Sequence, residues 1–214
     1  MDIQQAKKTV CEAGIKLLKE GLVARTWGNI SVRVDDDSFV ITPSGRTYED
    51  LTPDDIVLVK IADLSYDSHI KPSSEKGLHA EVYKLDRGIG AVVHTHQMNA
   101  STVAAARKEV PAIDDEMARL VGSSVRVAPY ALPGTGKLAR GTAAALQGRK
   151  AALMANHGAV CAGADMNEAF MVSKKLEEMC AAYIEKQYMK EAGESGAFDV
   201  KRMHEYYLKK YAKR

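Results

Sequence analysis

Two short apolar stretches, AALMAN at 151–156 and AVCAG at 159–163, are separated only by His157-Gly158. Parallel neighbours need a crossover of a dozen or more residues, so strands this close in sequence pair antiparallel. The same constraint acts near the start of the chain. There NISVRV at 29–34 and FVI at 39–41 flank Asp35-Asp36-Asp37, a run suited to a hairpin turn. Further apolar strands are expected at 56–61 (IVLVKI), 91–96 (AVVHTH) and 123–128 (SSVRVA). Helical spacing appears at 3–20, where Ile3, Ala6, Val10, Ala13, Leu17 and Leu18 share a face and Gly21 ends the pattern. A helix is expected from Pro72 to Leu85 with Ser73 or Ser74 as its N-cap. Others fall at 97–107, 136–147, 165–190 and 199–211. The fold class is therefore α/β, a central and mostly antiparallel sheet with helices on its faces, rather than a right-handed βαβ winding.

With 214 residues, no repeat and no low-complexity linker, residues 1–214 read as one domain. A formal net charge of +2 gives no reason for a nucleic-acid partner, which would need a dense basic face. The basic residues Lys209-Lys210 and Lys213-Arg214 read as a solvated tail or helix end. No apolar run is long enough to span a bilayer, and the N-terminal MDIQQAKKTV lacks the apolar core of a signal peptide. Cys11, Cys161 and Cys180 are odd in number and form no C-x-x-C pair, which argues against both a disulfide framework and a thiolate zinc site. A reducing cytoplasm is the natural location.

Three of the six histidines share a logic. His94 and His96 stand two apart at the end of an apolar strand, so their side chains point to one face. His157 ends another apolar strand, immediately before Gly158. Three neutral imidazoles suit zinc and leave a coordination position open. The plainer alternative is a set of polar residues at strand ends near the surface, and spacing alone does not pair His157 with the other two.

Three segments are rich in small residues and hydroxyls: Thr26-Trp27-Gly28-Asn29, Thr42-Pro43-Ser44-Gly45 and Pro72-Ser73-Ser74-Glu75. Glycine admits close backbone approach, and hydroxyls and amides donate to phosphate oxygens. Serines opening a helix add free N–H groups and the positive end of its dipole. Each segment taken alone reads equally well as a turn or a helix cap.

In order, GNIS (28–31), ITPSG (41–45), LTPDDIVLV (51–59), PSSEKGLHAEVY (72–83), AVVHTH (91–96), APYALPGT (128–135) and NHG (156–158) resemble the class II aldolase and adducin-head family, over about residues 5 to 190. The resemblance implies a three-layer α/β/α subunit and a homotetramer with active sites at subunit interfaces. It implies one zinc ion per subunit, replaceable by cobalt or manganese, on His94, His96 and His157. Glu75 would be the catalytic glutamate and would also touch the resting metal. Gly28, Asn29, Ser44, Gly45, Ser73 and Ser74 would bind phosphate.

The activity implied is cleavage of a ketose 1-phosphate, of the fuculose 1-phosphate kind, to dihydroxyacetone phosphate and a short aldehyde. Glu75 would move the proton, with its pKa raised by burial. A sugar-phosphate 4-epimerase or a decarboxylase of a phosphorylated 3-oxo acid could use the same site. Epimerases usually carry Asp where this chain has Glu75, and adducin-like interaction modules lack the zinc histidines. One departure stands out. The aldolases' tyrosine acid falls in VPAIDDEMARL (110–120), nearest Asp115, whose alternative role is at a helix N-terminus. The end of the chain, 191–214, is expected to be a mobile segment. Tyr206, Tyr207 and Tyr211 lie on its helix, and Tyr207 is the candidate to close over the aldehyde half of the substrate unless these rings simply pack the helix.

Overall fold

The computed structural model describes residues 1–23, 27–193 and 195–211; Thr26 and the terminal Lys213-Arg214 lie outside them. Helix α1 (Ile3–Lys19) opens at Asp2, whose carboxylate accepts from the Gln5 N–H, and Gly21 follows it at φ 69°. Then come β1 (Asn29–Arg33), β2 (Ser38–Ile41), β3 (Val57–Lys60) and α2 (Lys76–Leu85). The middle of the chain holds β4 (Ala91–Thr95), α3 (Met98–Ala106), β5 (Val110–Pro111), α4 (Asp115–Leu120) and β6 (Ser124–Ala128). The last third holds α5 (Gly136–Leu146), β7 (Ala151–Met154), β8 (Gly158–Gly163), α6 (Met166–Ala192) and α7 (Val200–Tyr211).

The strands form one sheet in the order β3-β2-β1-β4-β8-β7-β6-β5. All neighbours run antiparallel except β6 and β7, which α5 connects. Alternation along the strands builds two cores. Val92, Ala152, Met154 and Val160 face Leu78, Val82, Leu138 and Leu146 of α2 and α5. Val93, Ala151, Leu153 and Cys161 face the opposite way, toward α1, α3 and α6. The result is the expected α/β/α sandwich.

One local expectation needs correction. Helix α2 begins at Lys76 with Glu75 in the N-cap position, not at Pro72 with a serine cap. Residues 71–73 are extended instead, as a residue preceding proline prefers. They pair with 42–44: the Ser44 N–H donates to the Lys71 carbonyl, and the Ser73 N–H to the Thr42 carbonyl. In the segment 110–120, for which no strand was expected, β5 and α4 form, and Asp114-Asp115 take the helix N-terminal place that was their alternative role. Two and six residues are too few for a periodic pattern to show.

Candidate active site

His94 sits near the end of β4, paired with Asn29 of β1 on one side and Val160 of β8 on the other. It is completely buried. Its Nδ1 lies 2.8 Å from the Ala159 carbonyl oxygen, which can only accept. Nδ1 therefore carries a proton and Nε2 faces inward, the arrangement in which a second partner orients a metal-ligating imidazole. His96 follows just past the strand end on the same face, with its ring centroid 4.7 Å from that of His94. His157 completes the group from the β7–β8 turn, 4.9 and 5.1 Å from the other two rings. Asn156 closes that turn in the left-handed region at φ 56°.

Close backbone approach makes this possible at two glycines. A Cβ on Gly158 would lie 2.4 Å from the Thr95 carbonyl oxygen, and one on Gly28 would lie 2.6 Å from that of His94. Neither position accepts a side chain without moving the strand that carries the histidines.

Glu75 enters this space from the start of α2. Its Oε2 is 3.2 Å from His94 Nε2, and its Oε1 is 3.5 Å from His157 Nε2. His96 Nε2 and His94 Nε2 face each other at 3.0 Å. Burial, with the neighbouring His94 and His157, pushes His96 down to about 4; burial and His94 also lower His157. Both rings are thus neutral near pH 7. The ring nitrogens of the three histidines and the Glu75 carboxylate thus crowd one space. The three histidines offer nitrogens within 4.8 Å of one another. This donor set fits a divalent ion with nitrogen and oxygen ligands.

The charge state of Glu75 differs from expectation. Burial acts to raise its pKa, but His94, a hydrogen bond from Asn29, His157 and His79 together outweigh it and hold the carboxyl below its ordinary value. It is a carboxylate at neutral pH, the form that accepts a proton.

The three hydroxyl-rich segments converge in part. The 42–44 and 71–73 stretches lie side by side through the backbone pairing already described, which sets Ser44 against Lys71 and Thr42 against Ser73. Thr42 Oγ1 accepts from the Ile30 N–H, tying this pair to β1 next to Asn29. The loop before α5 reaches the same place, where a Cβ on Gly134 would lie 3.2 Å from the Ser74 carbonyl oxygen. The supply of free N–H groups is smaller than expected at a helix start: that of Ser73 is paired, and that of Glu75 donates to Ser73 Oγ.

The other two candidate residues lie elsewhere in the subunit. Asp114 caps α4 by accepting from the Met117 N–H, and Asp115 follows it, exposed in the first turn. Tyr207 packs with Tyr188, Tyr206 and Tyr211, and its hydroxyl lies 3.3 Å from a Glu191 carboxylate oxygen. Sequence reasoning gave no role to His79, which the structure buries completely behind Asn29 and Glu75. Its spacing of four from Glu75 was a usable signal, but the strand it meets had to be known.

An α/β/α subunit with a carboxylate-backed histidine cluster at the strand ends has the build of a metal-assisted enzyme. The chain belongs to the Class II Aldolase and Adducin N-terminal domain family, which it matches over residues 8–184. Enzymes of this family are generally metal-dependent, and the relatives found are named as aldolases, which are lyases. A 5-deoxy-D-ribulose 1-phosphate aldolase from Bacillus thuringiensis serovar kurstaki is 35% identical over 182 residues, covering 85% of this chain and 84% of that protein. A 5-methylthioribulose-1-phosphate/5-deoxyribulose-1-phosphate aldolase from Rhodospirillum rubrum is 37% identical over 163 residues, covering 76% and 73%. Among solved structures, an L-fuculose 1-phosphate aldolase superposes with a TM-score of 0.82 at 31% identity, covering 97% of this chain and 96% of that one.

Proposed function

We propose that this chain is a zinc-dependent aldolase that cleaves a ketose 1-phosphate to dihydroxyacetone phosphate and a short aldehyde. The observation that carries the reading is the meeting of Glu75 with His94, His96 and His157 in one partly buried space. The names of the two bacterial relatives make 5-deoxyribulose 1-phosphate the first substrate to try, with fuculose 1-phosphate second.

The three histidines would hold the ion, with Glu75 as a further ligand in the resting state and cobalt or manganese as substitutes. Bound there, the ion would act as a Lewis acid that stabilises negative charge on the substrate's carbonyl and hydroxyl oxygens. The chain's own groups supply the rest. Cleavage breaks the bond between the carbon next to the ketose carbonyl and the carbon beyond it, as the hydroxyl on that farther carbon passes its proton to the Asp115 carboxylate of a neighbouring subunit and becomes the aldehyde oxygen. The electron pair of that bond passes into the enediolate of the ketose fragment. Glu75 returns a proton to its carbon, and in the synthetic direction Glu75 takes that proton away. Gly28, Asn29, Ser44, Gly45, Ser73 and Ser74 would bind the phosphate and so orient the reacting atoms.

Asp115 and Tyr207 would act on the aldehyde half from a neighbouring subunit of a homotetramer, since within one subunit Tyr207 is engaged at α6. A cytoplasmic location agrees with three free cysteines, and among the described residues no helix is long and apolar enough to cross a membrane.

Incubating the zinc-loaded protein with dihydroxyacetone phosphate and a panel of short aldehydes tests the reading. Condensation products are expected with zinc and not after its removal. Bound zinc without any condensation would reject the aldolase reading in favour of the epimerase or decarboxylase. An absence of metal binding would favour the adducin-like module.

A further inference from the structure

Glu75, His79 and Tyr83 recur every fourth residue at and along α2, while Asn29, Ser31 and Arg33 recur every second residue along β1. These are the repeats that place side chains on one face of a helix and one face of a strand. Here the two faces meet as a polar seam within the apolar layer. Asn29 Nδ2 lies 2.9 Å from Glu75 Oε2, and Asn29 Oδ1 lies 2.5 Å from His79 Nε2. His79 Nδ1 lies 2.6 Å from Ser31 Oγ, which is 2.8 Å from the Tyr83 hydroxyl. The Arg33 guanidinium closes the seam 4.7 Å over the Tyr83 ring.

Chemistry fixes the direction of every bond. A carboxylate can only accept, so Asn29 presents its NH₂ to Glu75. Its carbonyl then faces His79, whose Nε2 must carry the proton. The ring is completely buried with neutral partners, Ser31 and Asn29, on its two nitrogens, an environment that favours the neutral form. Nδ1 is therefore an acceptor, Ser31 donates to it, and Tyr83 donates to Ser31. Four hydrogen bonds run one way, toward Glu75 Oε2. Among the described residues, Glu75 Oε1 has no hydrogen-bond partner.

We infer that His79 is a positioning residue for Glu75: it locks the Asn29 amide so that its NH₂ always faces Oε2, leaving Oε1 as the oxygen that meets the substrate proton. The inference rests on the reading of Glu75 as the proton-transfer group. Packing alone does not call for a histidine here. A phenylalanine could stack on Phe39, as the His79 ring does at 6.5 Å, without burying two polar nitrogens. With an apolar ring, however, Asn29 would lose its lock and could turn its carbonyl toward the carboxylate, where two acceptors repel.

Nitrogen NMR of histidine-labelled, metal-free protein reads the tautomer directly. The expected state of His79 is Nε2–H with a bare Nδ1. The consequence is read in zinc-loaded His79→Phe and His79→Gln. His79→Phe is expected to lower kcat about tenfold or more, the usual scale for a group that orients another at a metal site, with KM and zinc content nearly unchanged. His79→Gln keeps a donor for Asn29 and an acceptor for Ser31 and is expected to restore most of kcat. A wild-type rate in His79→Phe, or a glutamine variant as slow as the phenylalanine one, would overturn the inference. If His79→Phe does not fold, Ser31→Ala replaces it: lower kcat at constant KM supports the inference, and an unchanged rate and tautomer overturn it. Nδ1–H in an active enzyme would overturn this inference alone. The expected tautomer in a protein that moves no substrate proton would overturn the role given to Glu75, and this inference with it.

Discussion

At the scale of single residues, the site depends as much on what is missing as on what is present. Gly158 lets β8 close on β4, and its replacement by alanine would drive a methyl group to 2.4 Å from a backbone oxygen. Gly158→Ala is expected to cost about 1–3 kcal/mol in urea unfolding and to weaken metal binding, because His157 moves with the turn. Wild-type stability with full metal content would contradict this. His157→Ala should lose the metal while keeping the fold, read by elemental content and circular dichroism. His79 makes a pH prediction. The unfolded ring takes a proton below about 6.5, whereas the folded ring resists until about 3. The unfolded chain therefore holds the extra proton between those values, and stability falls as pH drops through that window, by up to ~1.4 kcal/mol per pH unit. In metal-free protein, urea unfolding at pH 7 and pH 5 should show a smaller fall for His79→Gln than for wild type; equal falls would contradict it. His94 and His96 were legible in the sequence because a two-residue spacing on a strand is itself a geometry. The charge state of Glu75 was not, since it depends on His94, His157 and Asn29 from other elements as well as on His79 of its own helix.

At the scale of elements, strands and long helices follow from period and punctuation, and their ends follow from caps. Helix α6 starts where Asp165 accepts from the Glu168 N–H. Glu168 in turn accepts from the Ala164 N–H and pairs with Lys150. Asp165→Ala should therefore cost about 1 kcal/mol of stability in urea unfolding, without effect on metal content. The start of α2 could not be read from the sequence, because Ser73 has two available uses. It could have capped the helix, but 71–73 pair with 42–44 instead, a contact between segments far apart in the chain. That pairing sets 42–44 against 71–73, so the misplaced boundary and this contact have one cause. The two-residue link at His157-Gly158 fixed the pairing of β7 and β8, whereas β5 and α4 were too short to announce themselves.

At the scale of the whole molecule, the sheet gathers residues from five separate stretches of chain at one end of its central strands. Several exposed side chains near that end are apolar. Trp27 lies beside His96 with ring centroids 5.9 Å apart, Met98 follows two residues after it, and Leu132 lies in the loop that reaches Ser74. Such a rim suits a surface covered by another subunit, and light scattering is expected to show a tetramer; a monomer at micromolar concentration would remove the neighbour on which the roles of Asp115 and Tyr207 depend. The most direct test of the account compares wild type with Glu75→Gln, both zinc-loaded, for exchange of a dihydroxyacetone phosphate proton with deuterated solvent. The amide keeps the shape of the side chain but cannot take a proton. Equal zinc content, with exchange slower by about 100-fold or more in the variant, is the predicted result. Exchange at the wild-type rate in Glu75→Gln, or no exchange in zinc-loaded wild type, would contradict it.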